Sequence, residues 1–120
     1  MKVHTKIWLE TNDGKLLLGE GRLEIFQAIE RTGSLSAAAR EFSMSYRAIW
    51  GKVKATEERL GIKLVHGTTG GSKHGGTQLT DEGREFVARF SEFNKRARKA
   101  VDDIAQELIS ELLEENPKKS

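Results

Sequence analysis

The sequence predicts a mainly α fold with short β-hairpins, and three observations carry the prediction. Between Gly33 and Leu60 two short helical patterns meet at a tight turn, the first rich in small residues and the second basic. Directly after them, a stretch with glycines at 70, 71, 75 and 76 separates two short strand candidates. From Thr80 onward, apolar residues recur at steps of three and four, the spacing of a long helix with one apolar seam. A two-strand pattern precedes all of this.

Composition narrows the class before any element is placed. With 120 residues the chain suits one domain of modest core. It has no cysteine, which excludes disulfides, thiolate metal sites and thiol catalysis. No apolar run is long enough to span a bilayer, and the first residues lack the apolar core of a signal peptide, so the expectation is a cytoplasmic protein without a membrane partner. Net charge is only +2, but it is unevenly spread. Residues 34–80 hold seven Lys and Arg against three Glu, whereas residues 81–120 hold eight basic and ten acidic side chains. The positive field thus sits on the helical pair and its glycine-rich neighbour, where attraction to phosphates needs it.

In residues 1–20, Val3, Thr5, Ile7 and Leu9 alternate with His4, Lys6, Trp8 and Glu10, the period of a strand. Asn12-Asp13-Gly14 is a turn signal, and Lys15 to Leu18 can return as a second strand. Such a hairpin is marginal alone and must pack on its own chain or on a partner subunit, with Trp8 the candidate anchor.

From Arg22 the period changes. Leu23, Phe26 and Ile29 mark a first helix that Gly33 ends. Ser34 or Ser36 caps the next helix, where Ala37, Ala38 and Ala39 allow close approach. Ser43-Met44-Ser45 breaks the pattern and Ser45 caps the third helix. There Ile49, Val53, Thr56 and Leu60 form one buried face, while Arg47, Gly51, Lys54 and Glu58 point the other way, with Trp50 on the flank. Cations and serines on the outer face of an anchored helix suit insertion into a DNA major groove.

Gly61 ends that helix. Leu64 to Thr68 and Thr77 to Leu79 are strand candidates around the glycine-rich stretch, and a hairpin in this position is a wing. Its glycines let backbone approach phosphate or minor groove, with Lys73 and His74 as donors. The spacing fits neither a P-loop nor a dinucleotide fingerprint. His4, His66 and His74 share no ligand spacing, so no metal or other cofactor is expected; His66 is read as structural and His4 as exposed.

Thr80 caps a long helix with Asp81 and Glu82 in its first turn. Phe86, Phe90, Phe93, Ala97, Ala100 and Ile104 step at heptad-like intervals, with Val101 beside them and Leu108 and Leu112 extending the seam. Unbroken to residue 116, such a helix reaches roughly 50 Å at 1.5 Å per residue, more than a domain this size covers. No glycine or proline between residues 84 and 116 supports the alternative, a helical hairpin within one chain. The expectation is therefore a dimerisation helix over 81–116, with Phe90, Phe93, Ala97, Val101, Ile104, Leu108 and Leu112 at the interface. Residues 117–120 read as a disordered tail.

With these elements placed, the run from Ser34-Leu35-Ser36 through Glu58-Arg59-Leu60-Gly61-Ile62-Lys63, followed by a hairpin and Leu79-Thr80-Asp81-Glu82-Gly83, resembles the DNA-binding module of LysR-type regulators. Ser45-Tyr46-Arg47 with Trp50, and Thr69-Gly70-Gly71 with its glycine run, are similar to the N-terminal domain of the molybdate-responsive ModE regulators. The resemblance covers about residues 20–110. It implies a winged helix-turn-helix over 21–80 that dimerises and reads double-stranded DNA in two half-sites. Carried over by position, Ser45, Tyr46, Arg47, Lys52 and Lys54 belong to the recognition helix and Gly70 to Gly76 to the wing. Tyr46 and Lys52 lie nearer the buried side of the helical wheel than Arg47 and Lys54. ModE continues into a molybdate-binding domain, and nothing in this chain resembles one.

The expectation is thus a homodimeric, sequence-specific transcriptional regulator without its own effector domain; a separate effector-sensing protein stays open as a partner. Candidate DNA contacts are Ser34, Ser36, Ser45, Tyr46, Arg47, Trp50, Lys52, Lys54, Gly70, Gly71, Lys73 and His74, with Arg40 or Arg59 on phosphates. The alternatives are a non-specific chromatin-like binder, which the low net charge disfavours, and a winged-helix protein-interaction module. No cluster of nucleophile, base and oxyanion donors supports an enzyme.

Overall fold

A computed structural model of the protein describes residues 1–68 and 76–115. The wing tip with Gly70, Gly71, Lys73 and His74, and the tail expected over 117–120, lie outside the described residues. In chain order the elements are β1 (Leu9–Glu10), β2 (Leu16–Leu18), α1 (Glu20–Thr32), α2 (Leu35–Glu41), α3 (Tyr46–Leu60), β3 (Val65–Thr68), β4 (Gly76–Leu79), α4 (Asp81–Leu108) and α5 (Ser110–Glu115). Two antiparallel hairpins, β1–β2 and β3–β4, flank a three-helix cluster, and α4 leads away from it. This is the winged helix-turn-helix that the pattern predicts.

Local chemistry sets most boundaries. Gly33 and Gly61 close α1 and α3 in the left-handed conformation, at φ 69° and 70°, where a Cβ is penalised. Ser34, Ser45 and Thr80 open α2, α3 and α4, each side-chain oxygen accepting the N–H three residues on. Ser34 is therefore the α2 cap, and Ser36 is left exposed.

The core lies between α1, α2, α3 and the second hairpin. Phe26 and Ile29 of α1, Leu35 and Ala38 of α2, Ile49 and Val53 of α3, and Leu64 and Leu79 of the hairpin are all almost wholly buried. The alanines of α2 do what small residues do at a helix crossing, letting α1 and α3 close on either side. The wing pairs Val65 with Leu79 and Thr68 with Gly76. Thr77 N–H donates to the Gly33 carbonyl at 2.9 Å, which fastens the wing to the α1–α2 turn.

Two expectations change. The N-terminal strand is shorter than its alternation suggests. Only Leu9 and Glu10 pair with β2, although the half-burial of Val3, Thr5 and Ile7 keeps the period of two. The C-terminal helix is not continuous to residue 116, because it breaks at Ile109. There the Ser110 hydroxyl donates to the Gln106 carbonyl, so a side chain competes for a helical acceptor without any glycine or proline. At 1.5 Å per residue, the 28 residues of α4 extend about 42 Å.

Candidate nucleic-acid interface

α3 is the element that the surrounding structure presents. Ile49 and Val53 anchor it in the core, and Thr56 is fully buried beneath it. Four side-chain hydrogen bonds join it to α1 and β2. Arg22 of α1 donates to the Lys52 carbonyl at 2.7 Å and to Thr56 Oγ1 at 2.8 Å. Thr56 in turn donates to the Leu17 carbonyl at 3.1 Å, and Arg59 donates to the Leu16 carbonyl at 2.6 Å. β2 and α1 thus hold α3 from its inner side.

The outer side is open. Ser45, Tyr46, Arg47, Trp50, Gly51 and Lys52 are all exposed, so the first half of α3 projects from the domain. Tyr46 and Lys52 depart from the wheel-based expectation. Each lies beside the apolar stripe, yet the stripe there is only Ile49 and Val53 wide and nothing packs over its margins.

Lys54 departs in the opposite direction. Its ammonium lies 3.2 Å from Glu57 Oε1 and 4.5 Å from the Trp50 ring centroid, so it is half-buried and turned back on its own helix. Arg59 is likewise committed to Leu16; both arginines are exposed, and Arg40 is the one for which the described residues offer no such tether. Ser34 and Ser45 use their oxygens as caps, and their hydroxyl protons stay available to a phosphate.

Glu57 is the residue that periodicity misses. It is one of the two buried polar side chains among the described residues, and its Oε2 accepts the backbone N–H groups of Leu64 and Val65 at 2.7 and 3.1 Å. Burial pushes its pKa up, but those two donors and Lys54 outweigh that and hold the carboxylate below its ordinary value. The group orients the chain from α3 into the wing. One signal was present: Glu57 stands four residues after Val53, on the apolar stripe.

His66, read as structural, occupies a ladder position opposite Gln78 with its side chain exposed, and His4 is exposed as expected. Among the described residues no three His, Asp or Glu gather as a metal site, and no helix is long and apolar enough to cross a membrane.

On α4 and α5, Phe93, Ile104, Leu108 and Leu112 are exposed by 47, 54, 63 and 60%, with Ala97 and Val101 half-buried beside them. Phe90 does not belong with this seam. It is 3% exposed, inside the core of its own chain, and meets Phe93 edge to face at 6.1 Å. It has no surface left for a second subunit.

Residues 21–84 match the family model described as bacterial regulatory helix-turn-helix protein, lysR family. The molybdenum transport protein ModE of Azotobacter vinelandii is 35% identical over 100 residues, covering 83% of this chain and 37% of that protein. The molybdenum-pterin-binding protein MopB of Rhodobacter capsulatus is 35% identical over 91 residues, covering 76% and 34% respectively. The chain therefore spans about a third of the length of these curated relatives. Among solved structures, the DNA-binding domain of CbnR in its DNA complex superposes with a TM-score of 0.54 at 27% identity, covering 71% of this chain and 95% of that one. With more than half of its residues inside the family match, the chain belongs to the lysR family of bacterial regulatory helix-turn-helix proteins.

Proposed function

We propose that the protein is a homodimeric, sequence-specific transcriptional regulator that reads double-stranded DNA with α3. The observation that carries this reading is the exposed run of Tyr46, Arg47, Trp50 and Lys52 on a helix pinned from behind. The DNA-bound state of the CbnR domain supports it. Arg47 faces the groove as the base reader, because Lys54 is bound to Glu57. Lys52 and Arg40 contact phosphates, and the β3–β4 hairpin brings the wing to the flanking groove. The exposed apolar seam of Phe93, Ala97, Val101, Ile104, Leu108 and Leu112 buries itself against a second subunit, setting the spacing of two half-sites.

Fluorescence anisotropy tests the DNA reading, using the duplex upstream of the protein's own gene and a scrambled duplex at several salt concentrations. The expected result is a preference for the first that survives raised salt. Arg47→Ala is expected to shrink that preference by about 1–3 kcal/mol. Lys52→Ala is expected to weaken both duplexes alike and to lower the salt slope by about one. Equal loss on both duplexes for Arg47→Ala removes its base-reading role. Absence of binding to either duplex shifts the reading to a protein-docking module.

The dimer is tested separately. Ile104→Glu and Leu108→Glu place charges in the seam and are expected to convert dimer to monomer in sedimentation velocity while far-ultraviolet dichroism holds constant. A monomeric parent protein would overturn the seam's role.

A further inference from the structure

The N-terminal segment carries chemistry that DNA reading leaves unused. Lys6, Trp8 and Glu10 share one exposed face. Lys6 Nζ lies 5.9 Å from the Trp8 ring centroid, and Trp8 Nε1 donates to Glu10 Oε1 at 2.8 Å. The alternate residues Thr5, Ile7 and Leu9 are half-buried on the other face. The segment has the amphipathic character of a strand well beyond the two residues that pair with β2.

Backbone direction shows which edge is free. Thr11 donates to the Lys15 carbonyl and accepts from Gly14 N–H, and Leu9 pairs with Leu18, so residues 9 and 11 address β2. The register irregularity of this hairpin advances two residues on β2 for one on β1, so the extra residue is Leu17 and β1 itself alternates regularly. Peptide groups of Lys6, Trp8 and Glu10 therefore address the opposite edge. Among the described residues, no backbone group pairs with them there.

We propose that this edge pairs with the same edge of a second copy, antiparallel about a two-fold axis through Trp8. Registers centred on Lys6 or on Glu10 offer the same peptide groups, but they set two lysines or two glutamates face to face. Centring on Trp8 places Lys6 opposite Glu10 of the second copy on both sides of the axis and brings the two indoles together. On the inner face Ile7 meets Leu9 of the second copy, and two hairpins become one four-stranded sheet. This surface is distinct from the α4 seam.

The chain contains no cysteine, so an introduced cysteine is its only thiol. In the Trp8-centred register, the two copies of residue 8 have Cα atoms about 5.5 Å apart, within disulfide range. The two copies of residue 6 stand four positions apart along the strand, roughly 13 Å. The full chain is oxidised in a glutathione buffer and read on non-reducing gels. Trp8→Cys is expected to cross-link at least about tenfold faster than Lys6→Cys or Glu10→Cys alone. Mixing the Lys6→Cys and Glu10→Cys chains is expected to restore the fast rate. Adding Lys6→Glu to Trp8→Cys should slow cross-linking, and adding Glu10→Lys as well should restore it. Equal rates at all three positions, a maximum at Lys6→Cys, or a double charge swap that fails to rescue each overturns the proposal.

Discussion

Gly83→Ala is expected to cost about 3 kcal/mol of folding stability, the upper part of the range for overpacking a close contact. A Cβ at this position would stand well inside contact distance of the Leu64 carbonyl oxygen and 3.0 Å from its carbon. Both partners are main chain, so neither a rotamer change nor a side-chain shift relieves the clash. The backbone is held in place as well. Thr80 N–H donates to Leu64 O at 2.9 Å, Thr80 Oγ1 donates to Lys63 O at 2.6 Å, and Gly83 N–H donates to Thr80 Oγ1 at 2.9 Å. Against a total of about 5–15 kcal/mol for a small domain, the loss is severe. Urea unfolding followed by helical dichroism checks it, with Gly51→Ala as the control. Gly51 is exposed, mid-helix and has nothing near its Cβ position, so that substitution should stabilise by about 0.5–1 kcal/mol. A Gly83→Ala midpoint equal to the parent's would refute the close-packing account.

Glu57→Ala is expected to cost a similar amount, about 3 kcal/mol, because it strands two buried N–H donors at ~1–3 kcal/mol each. Glu57→Gln keeps one acceptor and should cost less. The pH dependence separates charge from shape. The folded carboxyl has a lowered pKa, so its contribution is complete above the ordinary glutamate value. As pH falls, the unfolded chain takes up its proton first, and the contribution is gone once pH drops through the folded value. Urea midpoints of the parent should therefore fall more steeply with acid than those of Glu57→Gln over that window. Parallel curves would mean that the ionised form has no part in the fold.

The parts of this structure that were legible beforehand are those encoded over three or four residues. The serine and threonine caps and the closing glycines state their hydrogen bonds within one turn, so the starts of α2, α3 and α4 and the ends of α1 and α3 are legible. The apolar stripe of α3 was legible for the same reason. The partners of Glu57, Arg22 and Arg59 were not, because they lie seven to 43 residues away; the place of Glu57 on the apolar stripe signals its burial but not what it binds. That is also why Lys54 and Arg59 looked available for DNA when folding had committed them elsewhere. Phe90 was misassigned by a related limit. A seam read by spacing runs unbroken through a helix, but the first turns of α4 face their own core and only the later ones leave their apolar side chains exposed. The break at Ile109 escaped because serine back-bonding leaves no breaker in the sequence.

The tethers from Arg22, Thr56 and Arg59 have a thermodynamic consequence. They fix α3 through peptide carbonyls as well as through packing, so the helix is complete before any ligand arrives. Docking on its outer face then orders only side-chain rotamers such as those of Tyr46, Arg47 and Lys52, at about 0.5–1.5 kcal/mol each. Calorimetry should accordingly find a heat-capacity change matched to the contact area alone, without the larger signature of coupled folding. The outer face of α3, proposed above to read DNA, behaves as a preformed die, and loosening it at Arg22 should appear first as a lost entropy advantage.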